Sequence, residues 1–203
     1  MYGNDIVVNK VDTASKVLAA AFYICGGEGF GGEFYDNRIT TNVPAAWVAS
    51  FYGGASNSKI YHNTIIPLHH ATFKTFRIGS LGCDECVAQN IRFISNDFQG
   101  EKFDLQVTDQ DHSYTVYWTL QVKVTNKKKA PVKNAAITVR DKNGLIALEA
   151  KTDSNGKLKA ELPEYSVKGR EKNYSSPYTV LSGDCENKIM LDKDATITCN
   201  LTK

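Results

Sequence analysis

The sequence predicts an all-β protein in two parts: a solenoid of stacked coils, then a small antiparallel sandwich. Three observations carry that prediction. An asparagine recurs four times in one setting, an apolar residue, two spacers, Asn, one spacer and another apolar residue. A second set of aromatic positions recurs in step with it. After His112 the texture changes to short alternating strands punctuated by Asx-Gly turns.

The first copies read Ile6-Val7-Val8-Asn9-Lys10-Val11 and Phe34-Tyr35-Asp36-Asn37-Arg38-Ile39. The next read Ile60-Tyr61-His62-Asn63-Thr64-Ile65 and Phe93-Ile94-Ser95-Asn96-Asp97-Phe98. A single unit of this size cannot bury its own apolar face, so such units stack, and one polar residue held in register can bond its neighbours above and below. Asn9, Asn37, Asn63 and Asn96 are therefore the expected structural ladder. Between them lie Ala21-Phe22-Tyr23, Ser50-Phe51-Tyr52 and Thr75-Phe76-Arg77, with the phenylalanine at a nearly constant interval after Asn9, Asn37 and Asn63. Each coil then reads as strand, Asn corner, short strand, loop, strand and loop. Helical periodicity is confined to the stretch from Thr13 to Ala21, enough for a turn or two. A repeat array normally carries a polar cap, and this one opens in a repeat at Ile6, so further coils and an export signal are expected upstream.

In the second part, Tyr117 to Val124 alternates as a strand, and Lys127-Lys128-Lys129 with Pro131 makes a polar turn. Ala135 to Arg140 and Leu145 to Lys151 follow, separated by Asp141-Lys142-Asn143-Gly144 and closed by Asp153-Ser154-Asn155-Gly156. Strands of this spacing indicate a sandwich.

The segment Ala55-Ser56-Asn57-Ser58-Lys59-Ile60-Tyr61-His62-Asn63-Thr64-Ile65 resembles the generic repeat of the right-handed parallel β-helix, the pectin-lyase-like superfamily. The resemblance covers about residues 3 to 112 and implies a first domain over 1–112. It is specific for fold and not for activity, since that superfamily holds lyases, hydrolases, esterases, adhesins and structural proteins. The run Val132-Lys133-Asn134-Ala135-Ala136-Ile137-Thr138-Val139, with Thr152-Asp153-Ser154-Asn155-Gly156, resembles the transthyretin-like, carboxypeptidase-regulatory-type domain. That implies an accessory β-sandwich over 115–203 with no chemistry of its own.

Composition narrows the partners. A net charge of +2, with acids and bases interspersed, leaves no basic surface for nucleic acid. No apolar run approaches the length of a membrane span. The five cysteines are Cys25, Cys83, Cys86, Cys185 and Cys199. Cys185 and Cys199 flank one predicted hairpin and suit a bridge in an oxidising compartment. Cys83-Asp84-Glu85-Cys86 has redox or zinc spacing, but no second ligand pair lies nearby, so a loop disulfide or two free thiols is the simpler reading.

Candidate chemistry is sparse. Gly27-Glu28-Gly29-Phe30-Gly31-Gly32 has the form of a dinucleotide loop, but a repeat strand follows it where a helix N-terminus is needed. Ile78-Gly79-Ser80-Leu81-Gly82 resembles the stretch after the catalytic histidine of polygalacturonases, yet Lys74 stands at that histidine's place. The paired aspartates of that family are missing as well, and hydrolysis needs an acid and a base carboxylate about the bond. A lyase would need a calcium cluster of acidic oxygens and an Arg or Lys base; Glu33, Asp36 and Arg77 are present, but aligned acidic residues on neighbouring coils are not. His69-His70 point apart on extended chain and suit one metal poorly. Lys123, Glu161 and Asn200 resemble, in order, the Lys–Glu–Asn trio of adhesin domains with intramolecular isopeptide bonds, though the spacing is loose.

The strongest surface comes from the second register. With Phe22, Phe51 and Phe76 inward, the period-two geometry of strands turns Tyr23, Tyr52 and Arg77 outward on consecutive coils, about 4.8 Å apart. Sugar rings stack on aromatic faces, and a guanidinium grips a carboxylate or sulfate by two parallel hydrogen bonds. Tyr23, Tyr52 and Arg77 form the expected glycan-binding strip; no catalytic residue, metal ligand or cofactor is assigned. The resulting expectation is a secreted or cell-surface, non-catalytic module with a structural and polysaccharide-binding role, the polysaccharide being acidic. Its other partner is a cell-surface component or a second copy in an oligomer or filament, through strand edges at the ends of the stack. The rival expectation is a fragment of a polysaccharide lyase or glycoside hydrolase whose catalytic coils lie upstream.

Overall fold

A computed structural model of the protein describes residues 1–11, 19–26, 31–50, 53–68, 75–99 and 103–202. Among them there is no helix, and the strands divide between parallel and antiparallel sheets. Most of the stretch from Thr13 to Ala21, where a helical turn is expected, lies outside the described residues. The chain separates into two compact units, Met1–Thr115 with Val167–Glu171, and Val116–Ser166 with Lys172–Lys203.

Three parallel sheets build the first unit, each taking one strand from successive coils. One joins β1 (Asp5–Val8), β4 (Arg38–Thr41) and β8 (Thr64–Pro67). The second joins β3 (Glu33–Tyr35), β7 (Lys59–Tyr61) and β11 (Ile91–Ile94). The third joins β2 (Phe22–Ile24), β5 (Ala46–Val48), β9 (Phe76–Ile78) and β12 (Leu105–Val107). A two-residue pair, β6 (Ala55–Ser56) with β10 (Ala88–Gln89), completes the set.

Register puts like residues on top of one another. Phe34, Ile60 and Phe93 form one buried column, and Ile39 with Ile65 another. Phe76, Phe93, Phe98 and Phe103 pack ring against ring at 5.1–5.9 Å where those pairs touch, filling the last coil. Truncating one such ring to alanine costs about 3–5 kcal/mol, because the cavity left behind collapses only in part.

The asparagine column is continuous, with one change of member. Asn4 donates to Asn37 Oδ1 through its backbone N–H (3.1 Å) and Nδ2 (2.8 Å). Asn37 donates to Asn63 Oδ1 in the same two ways, and Asn63 to Asn96 Oδ1. Asn37, Asn63 and Asn96 are buried. Asn9 stands outside this column; it accepts from Asn42 Nδ2 at 3.0 Å beyond the end of β1. The reason is backbone conformation. The residue before each ladder asparagine is left-handed: Gly3 (φ 67°), Asp36 (54°), His62 (54°) and Ser95 (45°). Val8, which precedes Asn9, is β-branched and resists that conformation, whereas Gly3 adopts it without cost. The ladder spacings are thus 33, 26 and 33 residues.

β13 (Ser113–Thr125), which enters the second unit at Val116, alternates except where Thr119 is also buried, and buries Val116, Trp118, Leu120, Val122 and Val124. One sheet there is antiparallel, ordered β15 (Ile146–Lys151), β14 (Ala136–Arg140), β18 (Tyr178–Ser182) and β19 (Cys185–Ile189). The other carries β17 (Glu171–Tyr174), β16 (Lys157–Lys168), β13 and β20 (Ala195–Asn200). Here the expected all-antiparallel sandwich needs correction: β13 and β20 run parallel, Leu120 to Thr125 against Ala195 to Asn200. Ile137, Val139, Leu162, Tyr178, Val180, Leu191 and Ile197 bury the core between these strands. The turns follow their chemistry. Asp141 Oδ1 accepts from the N–H groups of Asn143 and Leu145, and Asp153 Oδ1 from those of Asn155 and Lys157, ahead of Gly144 and Gly156 at positive φ.

Candidate functional site

The expected glycan strip lies on the third parallel sheet, and its middle member is different. Parallel pairing sets Phe22 against Ala46 and Phe76, and Tyr23 against Trp47 and Arg77. Trp47 therefore occupies the position that equal spacing assigns to Tyr52. Tyr52 and Phe51 lie outside the described residues, as do His69, His70, Lys74 and most of the Gly27–Gly32 run. The mismatch comes from loop length. The chain between Trp47 and Arg77 is longer than that between Tyr23 and Trp47, so counting from the asparagines misplaces the strand.

Within the column each member has a distinct environment. Tyr23 is 40% exposed and meets Trp47 with ring centroids 5.8 Å apart. Trp47 is fully buried, and its indole Nε1 donates to the Gly79 carbonyl at 2.7 Å, which fixes the ring plane. The Arg77 guanidinium lies 4.2 Å from the centre of that ring. Arg77 is only 6% exposed, and its Nε is fully buried with no hydrogen-bond partner among the described residues. Burial lowers its pKa. Ser50 Oγ and Ser80 Oγ, three residues further along the same two coils, are likewise buried without a partner among the described residues. The strip is therefore a graded site: an accessible tyrosine, a fixed tryptophan and a sheltered cation.

A second aromatic column escaped the sequence reading. Tyr2, Tyr35 and Tyr61 stack on the second sheet with near-parallel rings, 5.0 and 4.6 Å between centroids. Its signal lies in the repeat itself, since Tyr35 and Tyr61 hold the same place relative to Asn37 and Asn63 as Tyr2 does to Asn4. Beside it Lys59 pairs with Glu33 at 2.8 Å, which lowers the Glu33 pKa, and the Tyr61 hydroxyl donates to Glu33 at 3.3 Å. Burial, then the Glu33 charge, push the Tyr61 phenol up to about 12. Because both faces of the Tyr35 ring are taken by Tyr2 and Tyr61, the column stiffens the sheet and leaves a sugar only the outer faces of the end rings.

The Lys123, Glu161 and Asn200 trio does not assemble for an isopeptide. Register sets Lys123 against Thr198, and Asn200 Oδ1 accepts from Thr125 Oγ1 at 2.6 Å. Glu161 and Asn200 are exposed, whereas amide formation between side chains needs a desolvated carboxyl acid to move the proton.

The cysteines form two bridges, Cys83–Cys86 and Cys185–Cys199, and Cys25 is a half-buried thiol. Among the described residues no group of three His, Cys, Asp or Glu side chains could hold a metal ion, and no helix is long and apolar enough to cross a membrane.

No family model matches the chain, and no curated protein matches it. Among solved structures it is similar to one described as the Bacillus anthracis TIE protein, with a TM-score of 0.34 and 14% identity. The alignment covers 50% of this chain and 19% of that one. At that TM-score the likeness carries no argument about fold or function.

Proposed function

We propose that this chain is a non-catalytic scaffold module of the extracellular space or cell surface, binding an acidic polysaccharide. In this reading the parallel sheets of the first unit are coils of a right-handed parallel β-helix, and the second unit is a transthyretin-like spacer. One observation carries the binding role: Tyr23, Trp47 and Arg77 fall in a single register column, with the guanidinium 4.2 Å over the indole. An aromatic platform next to a cation is the chemistry that recognises a sugar bearing a carboxylate or sulfate. The two disulfides support an oxidising compartment. The continuous asparagine column supports a scaffold whose coils are held rigidly enough to keep such a column in register.

A glycan array tests the proposal, with the wild-type chain set beside Trp47→Ala and Arg77→Ala. Retention of acidic glycans by the wild type, lost in both variants, is the expected result. Absence of binding to every glycan on the array would overturn the polysaccharide role.

A further inference from the structure

We infer that Arg77 is a receptor for one anionic group, a carboxylate or sulfate, which seats against the edge of its guanidinium while Trp47 holds the face. The inference deepens the glycan reading and rests on it for the source of the anion.

Charge creates the demand. Arg77 is more than nine-tenths buried, and an arginine stays protonated in a protein. Its column neighbours are Trp47 and Gln106, and its chain neighbours Phe76 and Ile78 are apolar and fully buried. Among the described residues Lys59 forms an ion pair with Glu33 and His62 Nδ1 lies 3.9 Å from Asp36, and neither contact involves Arg77. Stacking on an indole stabilises a desolvated cation, but by less than burial of a charge without a counter-charge costs. Stacking alone therefore falls short, and an anion would close the difference.

Geometry says where that anion sits. The Trp47 ring occupies one face of the guanidinium, and the indole is pinned by its bond to Gly79 O. What remains is the N–H edge. Nε is fully buried and out of a ligand's reach, whereas the two terminal nitrogens are not among the buried unpartnered atoms. Side by side they make the fork that matches two oxygens of a carboxylate or sulfate. Tyr23, the exposed end of the column, is where the rest of the ligand meets solvent. A lysine cannot reproduce this fork, since its ammonium is a point charge.

The test needs no polysaccharide. In ¹⁵N–¹H spectra of the wild-type chain, the Arg77 Nε–H and Trp47 Nε1–H resonances are followed while sodium acetate, sodium sulfate or sodium galacturonate replaces sodium chloride at constant ionic strength. A saturable shift of both resonances with the oxyanions, and none with chloride, is expected. In Arg77→Lys, binding read at the Trp47 resonance should be at least tenfold weaker. Unmoved wild-type resonances, or an Arg77→Lys titration equal to wild type, would overturn the receptor, and the wild-type arm decides even where a variant fails to fold. The two readings fail separately. Anion binding with an empty glycan array keeps the receptor and removes the polysaccharide as its source, whereas glycan binding without any response at Arg77 removes the receptor.

Discussion

Asn63 shows how one side chain ties three coils. Its Oδ1 accepts the backbone N–H and Nδ2 of Asn37, while its own Nδ2 donates to Asn96 Oδ1 and to the Phe34 carbonyl. Asn63→Ala leaves buried donors and an acceptor without partners, each costing about 1–3 kcal/mol. We predict a loss of about 2–4 kcal/mol in denaturant unfolding, against less than about 0.5 kcal/mol for the exposed Asn9→Ala. His112 is the second informative residue. Fully buried, it accepts the Ala88 N–H on Nδ1 at 3.0 Å and lies 3.0 Å from Thr108 Oγ1 through Nε2. Burial lowers its pKa, with Asp111 opposing. The unfolded chain therefore takes up the proton first as pH falls. Stability is intact above the unfolded pKa of about 6.5 and declines below it, by at most about 1.4 kcal/mol per pH unit, until the folded imidazole also protonates. Urea midpoints of the wild type should fall between pH 7 and pH 5, and His112→Asn, whose Oδ1 can take the Ala88 N–H, should flatten that decline. Equal slopes would refute the assignment.

At the scale of elements, the sequence was legible where a residue type has a backbone duty. The Asp-x-x-Gly turns and the alternation of β13 stand where the pattern puts them, because Asx side chains and period two encode geometry locally. Parallel pairing is non-local, and there the pattern misleads. Asn9 satisfied the spacing of apolar positions but lacked a residue before it able to turn left-handed. Tyr52 satisfied equal spacing, but the unequal intervals between the paired strands gave its place to Trp47. The parallel partnership of β13 and β20, distant in the chain, carries no local signature at all. The Cys185–Cys199 bridge links β19 to β20 across a separation of 14 residues. A loop of that length restricts the unfolded chain by about 3 kcal/mol, so a Cys185→Ser, Cys199→Ser double variant should unfold that much more readily in a denaturant titration. Gly79 joins β9 to its following corner at φ +79°, and a Cβ there would meet the Thr108 hydroxyl and, at 2.7 Å, His112 Nε2. Gly79→Ala should therefore destabilise by more than the usual glycine-to-alanine change and disturb the carbonyl that anchors Trp47.

For the whole molecule, the proposed function rests on one sheltered cation in an aromatic column of paired strands. Rigidity matters because Tyr23, Trp47 and Arg77 come from three coils, and their alignment lasts only while the coils keep register. The charge on the ligand should then decide affinity far more than its sugar identity. Calorimetric titration of the wild-type chain with an oligogalacturonate and with its fully methyl-esterified counterpart separates the two contributions directly, since the ester removes the charge and keeps the sugar backbone. Measurable binding of the acid form is expected, with at least tenfold weaker binding of the ester and loss of that preference in Arg77→Lys. Equal affinity for acid and ester would contradict the role given to Arg77.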